Sequence, residues 1–235
     1  AKHYDIYTHV DAAWAGSAML LDEQRGLFEG VELADSFVFN PHKWLGIGFD
    51  CSVQFLKSPE VQGDALRLKP RYLQTEAAQA FSTADRAQKS ESGRVAEQWQ
   101  SLDLSDYSPV LGRRPRALKI WFVLRLVGLD TLKEMMRSHI KWADALAEKV
   151  AAAPGFELVG QVRLSLLLFR LQSDAHTEAL LRAVNDDGFC YLTPTLVDGK
   201  PAIRFQIGSW RTRWRDVEES WQRITEIAGT LAGLR

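Results

Sequence analysis

His9-Val10-Asp11-Ala12-Ala13-Trp14 and Asn40-Pro41-His42-Lys43-Trp44 decide the reading of this 235-residue chain. Each stands where a β-branched or aromatic run gives out. Asp5–Val10 reads as a strand that passes into small residues after Asp11. Ser36–Asn40 reads as a second strand that meets a proline-fixed turn, and Cys51–Lys57 as a third. Between the first two, Asp22–Phe28 suits a helical turn or two, ended by Gly30. Strands alternating with short helices imply a layered α/β sheet. In such a sheet the carboxyl ends of the strands form the ligand crevice, so Asp11 and Lys43 are expected to face one cleft.

Working outward, the sequence after residue 110 turns helical. Pro115 suits a first turn, Ala117–Leu126 carries an apolar run, and Gly128 suits a stop. Asp130 or Thr131 then caps a second helix, whose stripe is Leu132, Met136, Ile140, Ala143, Leu146 and Val150. Pro154-Gly155 breaks it. Phe156–Val159, Arg163–Leu171, Cys190–Thr193 and Ala202–Ile207 read as strands, with Asp198-Gly199 as a hairpin turn. Ser173 or Asp174 caps a helix running through Val184 and closed by Asp187-Gly188. A last helix carries Val217, Trp221, Ile224, Ala228 and Leu231 on one face. The expected division is residues 1–119 as part of a large α/β domain and 120–235 as a small α+β domain. Within the first, Thr75–Gly93 is poor in large apolar residues, so 74–110 reads as a mobile loop or insertion.

Charge and composition remove several function classes. Lysine and arginine number 29 against 30 acidic residues, which leaves no basic excess to hold a nucleic-acid backbone or an anionic membrane. Trp210-Arg-Thr-Arg-Trp-Arg215 is basic and aromatic, but with net charge near zero it reads as a solvated helix entrance. Apolar runs such as Leu166–Phe169 are too short to span a bilayer. No signal peptide is visible at the start, and Cys51 and Cys190 make no disulfide framework, so a cytoplasmic setting is expected. The chain opens without Met directly on a strand, which suggests a fragment or a processed chain. His9 and Asp11 share a strand face, but no third ligand stands at metal-site spacing, so no metal is expected. Arg204 suits a carboxylate clamp, yet Ile203, Phe205 and Ile207 alternate with it and put it on the sheet's other face.

An acid and a lysine at neighbouring strand ends suit one cofactor chemistry. A lysine in an apolar, partly desolvated site condenses with an aldehyde, and pyridoxal phosphate (PLP) is such an aldehyde. Its pyridine nitrogen needs a carboxylate to stay protonated. Ala13 is small enough to lie against a flat ring, and Asn40 and His42 carry polar groups for a phosphate or substrate. Each residue also has a plainer reading: Asp11 as a strand-end cap, Lys43 as a surface lysine, His42 as a structural histidine.

These residues resemble the group II PLP-dependent amino-acid decarboxylases, and within them the aromatic-L-amino-acid decarboxylases. The matching stretches are His9–Ala18, Ala34–Trp44, Phe49–Ser52, Leu111–Arg114 and Leu118–Arg125, and the resemblance covers nearly the whole chain except roughly residues 74–110. It implies a fold-type I, PLP-dependent transferase-like fold. It also implies decarboxylation of an aromatic L-amino acid to its amine, and a homodimer in the full-length form. Lys43 would hold PLP, Asp11 would pair with the pyridine nitrogen, Ala13 would face the ring, and Asn40 the phosphate side. His42 would sit beside the lysine. Tyr72 would help protonate the α-carbon, and a Tyr there resembles the decarboxylases and not their aldehyde-forming relatives. Phe49 and Gly112 would line the substrate side, Gly112 leaving room for a bulky ring. The alternatives are a histidine or acidic amino-acid substrate, or a non-catalytic fragment, since the family's amino-terminal half is missing. Gly46 and Gly48 depart from the family by standing where bulkier residues are expected, Pro115 by standing where an aromatic residue is expected, and residues 74–110 by being longer than the family's loop, with Ser101–Val110 as extra residues.

Overall fold

The computed structural model describes residues 2–4, 6–66, 104–110 and 112–231. Contacts gather the chain into two compact units. One takes in Ala1–Val10, Gly30–Phe37 and Gln54–Arg116, the other Asp11–Glu29, Val38–Val53 and Ala117–Arg235. Strands β1 (His9–Asp11), β2 (Ser36–Phe39) and β3 (Val53–Leu56) form a sheet in that order. All three are shorter than their sequence suggests. At the start of β1 the reason is local. The Asp35 carboxylate accepts from the Thr8 amide at 2.8 Å and from its hydroxyl at 3.1 Å. That side chain takes the donor a longer ladder would use.

In the first unit, the Lys57 amide also donates to Asp35 O at 2.9 Å, and Phe37 meets Phe55 at 6.2 Å between ring centroids. Helix α1 (Pro59–Leu66) is short. Its buried Gly63 leaves room for Tyr107, whose ring would stand 3.4 Å from a Cβ there. Of the expected 74–110 loop, only the end falls within the described residues, where Leu104–Tyr107 forms a 3-10 turn.

The second unit carries most of the regular structure. Helix α2 (Ala117–Leu126) is followed at Gly128 by α3 (Leu129–Ala152). The start of α3 differs from expectation. Gly128, at φ 86° and ψ 150°, takes the capping position because its conformation suits glycine alone, and Asp130 falls in the first turn. Its charge there suits the positive helix end. The predicted stripe is buried at Leu132, Met136, Ala143, Leu146 and Val150, and His139 joins it.

Four strands follow in the order β4-β5-β7-β6: β4 Phe156–Leu158, β5 Leu166–Leu171, β6 Thr193–Val197 and β7 Lys200–Gln206. All pairs are antiparallel, with Leu167 opposite Phe205 and Thr193 opposite Arg204. Helices α4 (Asp174–Asp187) and α5 (Trp214–Leu231) complete the layer. Ser173 caps α4 by accepting from His176 N–H, and Gly188 ends it at φ 78°. Leu146, Phe169, Leu180, Ile203, Val217 and Ile224 meet in the core between helices and sheet.

The strand expected at Cys190–Thr193 is displaced to Thr193–Val197. The Asn185 side chain accepts from Leu192 N–H at 2.8 Å and donates to Leu192 O at 3.0 Å. With both its backbone groups engaged by one amide, Leu192 needs no strand partner. Pro194 is tolerated inside β6 because β6 is the sheet edge. The Asp198-Gly199 turn joins β6 to β7 with both residues at positive φ, 53° and 75°, as a tight hairpin demands. No helix among the described residues is long and apolar enough to cross a membrane.

Candidate active site

The ends of β1 and β2 stay hydrogen-bonded beyond the regular ladder. Ala12 N–H donates to Val38 O at 3.0 Å, and Asn40 N–H to Ala13 O at 2.8 Å. Asp11 and Asn40 are thereby carried on adjacent strand ends, in the same unit. The Asp11 carboxylate folds back and accepts from Ala13 N–H at 2.9 Å, an Asx turn that fixes it at the strand exit. Ala13 is half-buried beside it.

Asn40-Pro41-His42-Lys43 closes as a turn, with Lys43 N–H donating to Asn40 O at 2.9 Å. Pro41 presets the backbone at the turn's second position. The turn is braced on both sides. The Asn40 side-chain oxygen Oδ1 accepts from the Ser52 hydroxyl at 2.6 Å, and His42 Nδ1 lies 3.1 Å from Cys51 N and 2.5 Å from Cys51 O. Lys119 on α2 donates to Gly48 O and Asp50 O, both at 3.1 Å, and so fastens the loop beyond. Trp44 points inward, fully buried among Ala18, Leu21, Ile47 and Met136.

Six of the sequence-predicted residues, Asp11, Ala13, Asn40, His42, Lys43 and Phe49, lie in this one unit. Phe49 is 84% exposed and meets His42 edge to face at 4.9 Å. Gly112 belongs to the other unit and is exposed, with open space where a Cβ would stand. Tyr72 lies outside the described residues. One expectation is corrected: Lys43 is exposed, so the residues around it here do not form the apolar, desolvated surroundings that the sequence reading assigned. Gly46, unexpected from the family pattern, has two physical reasons. Its φ is 67°, and a Cβ there would stand 3.1 Å from Trp210 Cδ1.

Sequence reasoning missed Trp14, Ser52, Lys119 and His139. Trp14 stacks on Trp44 with centroids 4.3 Å apart and planes 15° from parallel. Trp44 Nε1–H donates to Nδ1 of the buried His139 at 3.1 Å. The spacing could have flagged His139, since it sits three residues past Met136 and four before Ala143 on an otherwise apolar stripe. Burial lowers this imidazole from its ordinary 6.5 to about 4.

The donor set fits PLP. Lys43 offers an exposed primary amine for an aldehyde, and Asp11 a carboxylate, already oriented by Ala13 N–H, for a protonated ring nitrogen. Ala13 presents a small face between them in sequence, and Asn40 and Ser52 line the second strand exit.

Comparison with known proteins agrees. The pyridoxal-dependent decarboxylase conserved domain matches residues 1–172. The aromatic-L-amino-acid decarboxylase of Drosophila lebanonensis is 37% identical over 229 residues, covering 97% of this chain and 52% of that protein. The phenylacetaldehyde synthase of Arabidopsis thaliana is 37% identical over 239 residues, covering 98% and 45%. The crystal structure of Oryza sativa TDC with PLP and tryptamine superposes with a TM-score of 0.83 at 30% identity, covering 98% of this chain and 46% of that one. The chain thus spans about half the length of the curated relatives it matches. On the match over residues 1–172, the chain belongs to the pyridoxal-dependent decarboxylase family.

Proposed function

We propose that this chain supplies the lysine and acid of a PLP-dependent decarboxylase acting on an aromatic L-amino acid, with the amine and carbon dioxide as products. The observation that carries the reading is the extended pairing of β1 and β2. Through Ala12 N–H to Val38 O and Asn40 N–H to Ala13 O, it sets the Asp11 and Lys43 turns side by side. Resemblance in sequence to aromatic-L-amino-acid decarboxylases supports the substrate class.

Bound PLP supplies an electron sink for the pair left when the α-carboxylate departs. The chain's residues do the rest. Lys43 would hold the cofactor's aldehyde carbon through its amine and, once free, has a basic nitrogen able to carry a proton. The Asp11 carboxylate, oriented by Ala13 N–H, would keep a proton on the ring nitrogen by charge. Ala13 would bound the ring face. Asn40, tied to Ser52, would orient the phosphate side. His42, braced on Cys51, would stand beside the lysine, with Phe49 and Gly112 toward the substrate. Tyr72 would deliver a proton to the α-carbon, which favours the amine over an aldehyde. The reading extends to a homodimer and to a cytoplasmic setting, where Cys51 and Cys190 stay free thiols.

A substrate panel tests it. This chain, alone and within a form extended to the length of its relatives, is supplied with PLP and with dopa, tyrosine, tryptophan, 5-hydroxytryptophan, histidine or glutamate. Carbon dioxide and amine from at least one aromatic substrate, and from neither of the others, are expected. Turnover of histidine or glutamate only would overturn the substrate class. An aldehyde product would overturn the role given to Tyr72. No turnover by the extended form would overturn the activity itself.

A further inference from the structure

Backbone pairing between the two chemistry-bearing turns stops at Asn40. Beyond it, Lys43 is carried by its own turn and by the residue that follows it, Trp44. The Trp44 ring is held at two places. Trp14, three residues past Asp11, stacks on its face at 4.3 Å, and His139 Nδ1 on α3 accepts its indole N–H at 3.1 Å. An indole nitrogen only donates, so Nδ1 must be the unprotonated nitrogen and the neutral ring carries its hydrogen on Nε2. Nε2 is buried without a hydrogen-bond partner among the described residues. The same face of α3 is otherwise Leu132, Met136, Ala143, Leu146 and Val150; an apolar side chain here would remove the stranded Nε2–H but leave the buried Trp44 Nε1–H without its acceptor. What histidine adds is an acceptor for Trp44. Its depressed protonation, near 4, keeps that acceptor available at neutral pH.

We propose that His139 is a positioning residue: by holding Trp44 it fixes the Asn40–Lys43 turn, and through the Trp14–Trp44 stack it locks that turn to the one bearing Asp11. The proposal rests on the reading of Lys43 and Asp11 as the cofactor-bearing pair. The chain is a pair of strand exits set by the ladder and then clamped by two stacked indoles on one buried imidazole.

The test compares the full chain with His139→Phe, Trp44→Phe and His139→Asn. The first two remove the bond from opposite ends. The third keeps an oxygen at the Nδ1 position that can accept it. Two quantities are read. One is amide hydrogen exchange over residues 40–47. The other is the ratio of pyridoxyl label at Lys43 to label at exposed Lys57, after PLP and borohydride in one sample. His139→Phe and Trp44→Phe are expected to speed exchange at Trp44 and Leu45 and to lower the label ratio, each about tenfold, the size of effect a lost buried hydrogen bond carries. His139→Asn is expected to stay within about twofold of wild type. Unchanged exchange and labelling in the folded His139→Phe and Trp44→Phe variants would overturn the proposal. So would His139→Asn behaving like His139→Phe. Failure of all three to fold would overturn it as well, since the contact would then hold up the whole unit and not the lysine turn. If wild-type Lys43 takes no label, the cofactor reading fails, while the exchange data still decide this proposal.

Discussion

Asp11 makes one hydrogen bond that its neutral analogue can also make. Asparagine at this position keeps an oxygen for Ala13 N–H, so Asp11→Asn should leave the melting temperature within about 2 °C of wild type. Loss of the charge should nonetheless cut decarboxylation by the extended form roughly a hundredfold or more. Steady-state rates beside a melting curve check this, and an equal fall in both would show that the carboxylate serves the turn alone. Gly46 is a second decisive residue. Gly46→Ala puts a Cβ into a left-handed conformation and against Trp210, so a loss of about 1–2 kcal/mol in urea unfolding is expected.

Two groups should contribute separable parts of the acid limb of stability. His139 takes a proton near 6.5 when unfolded and only near 4 when folded. The unfolded chain binds the extra proton in between, so stability falls as pH drops from about 6.5 to about 4. Glu23 is held by the Arg137 guanidinium at 2.7 Å, which lowers its carboxyl from 4.5 to about 2. Its contribution is present above 4.5 and is lost as pH falls toward 2, and it is small because the pair is exposed. Melting temperatures against pH should therefore flatten between 6.5 and 4 in His139→Asn. In Glu23→Gln they should lie slightly below wild type above about 4.5 and converge on it as pH falls toward 2.

At the scale of elements, the displacement of β6 shows how one side chain sets a strand's limits. Asn185 engages both backbone groups of Leu192. Removing it in Asn185→Ala leaves both without that partner and should cost about 1–3 kcal/mol, with faster exchange at Leu192 than at Phe205. Equal protection at the two sites would contradict this account. The periodic elements were legible beforehand. The α3 stripe, the Ser173 cap, Gly188 and the Asp198-Gly199 turn all rest on local spacing or on a conformation that few residues adopt. The β6 boundary was not legible, because it depends on an amide seven residues upstream and on an edge position that tolerates Pro194. The short β1 was hidden for a similar reason, since Asp35 reaches Thr8 across 27 residues.

For the molecule as a whole, the acid and lysine were legible because each sits at the end of a recognisable strand, next to small or turn-forming residues. Their bracing was not. Trp44 meets His139 across 95 residues of sequence, and only the fold brings the donor to its acceptor. Likewise the spacing does not say that Trp44 turns inward while the adjacent Lys43 is exposed.

Lys43 and Asp11 are proposed above to form one cofactor-bearing pair. Peptide mapping after PLP and borohydride addresses it most directly, on wild type and Asp11→Asn. Label concentrated on Lys43 in wild type and reduced in Asp11→Asn is the predicted result. Label spread over exposed lysines such as Lys57, or label on Lys43 indifferent to Asp11, would contradict the account.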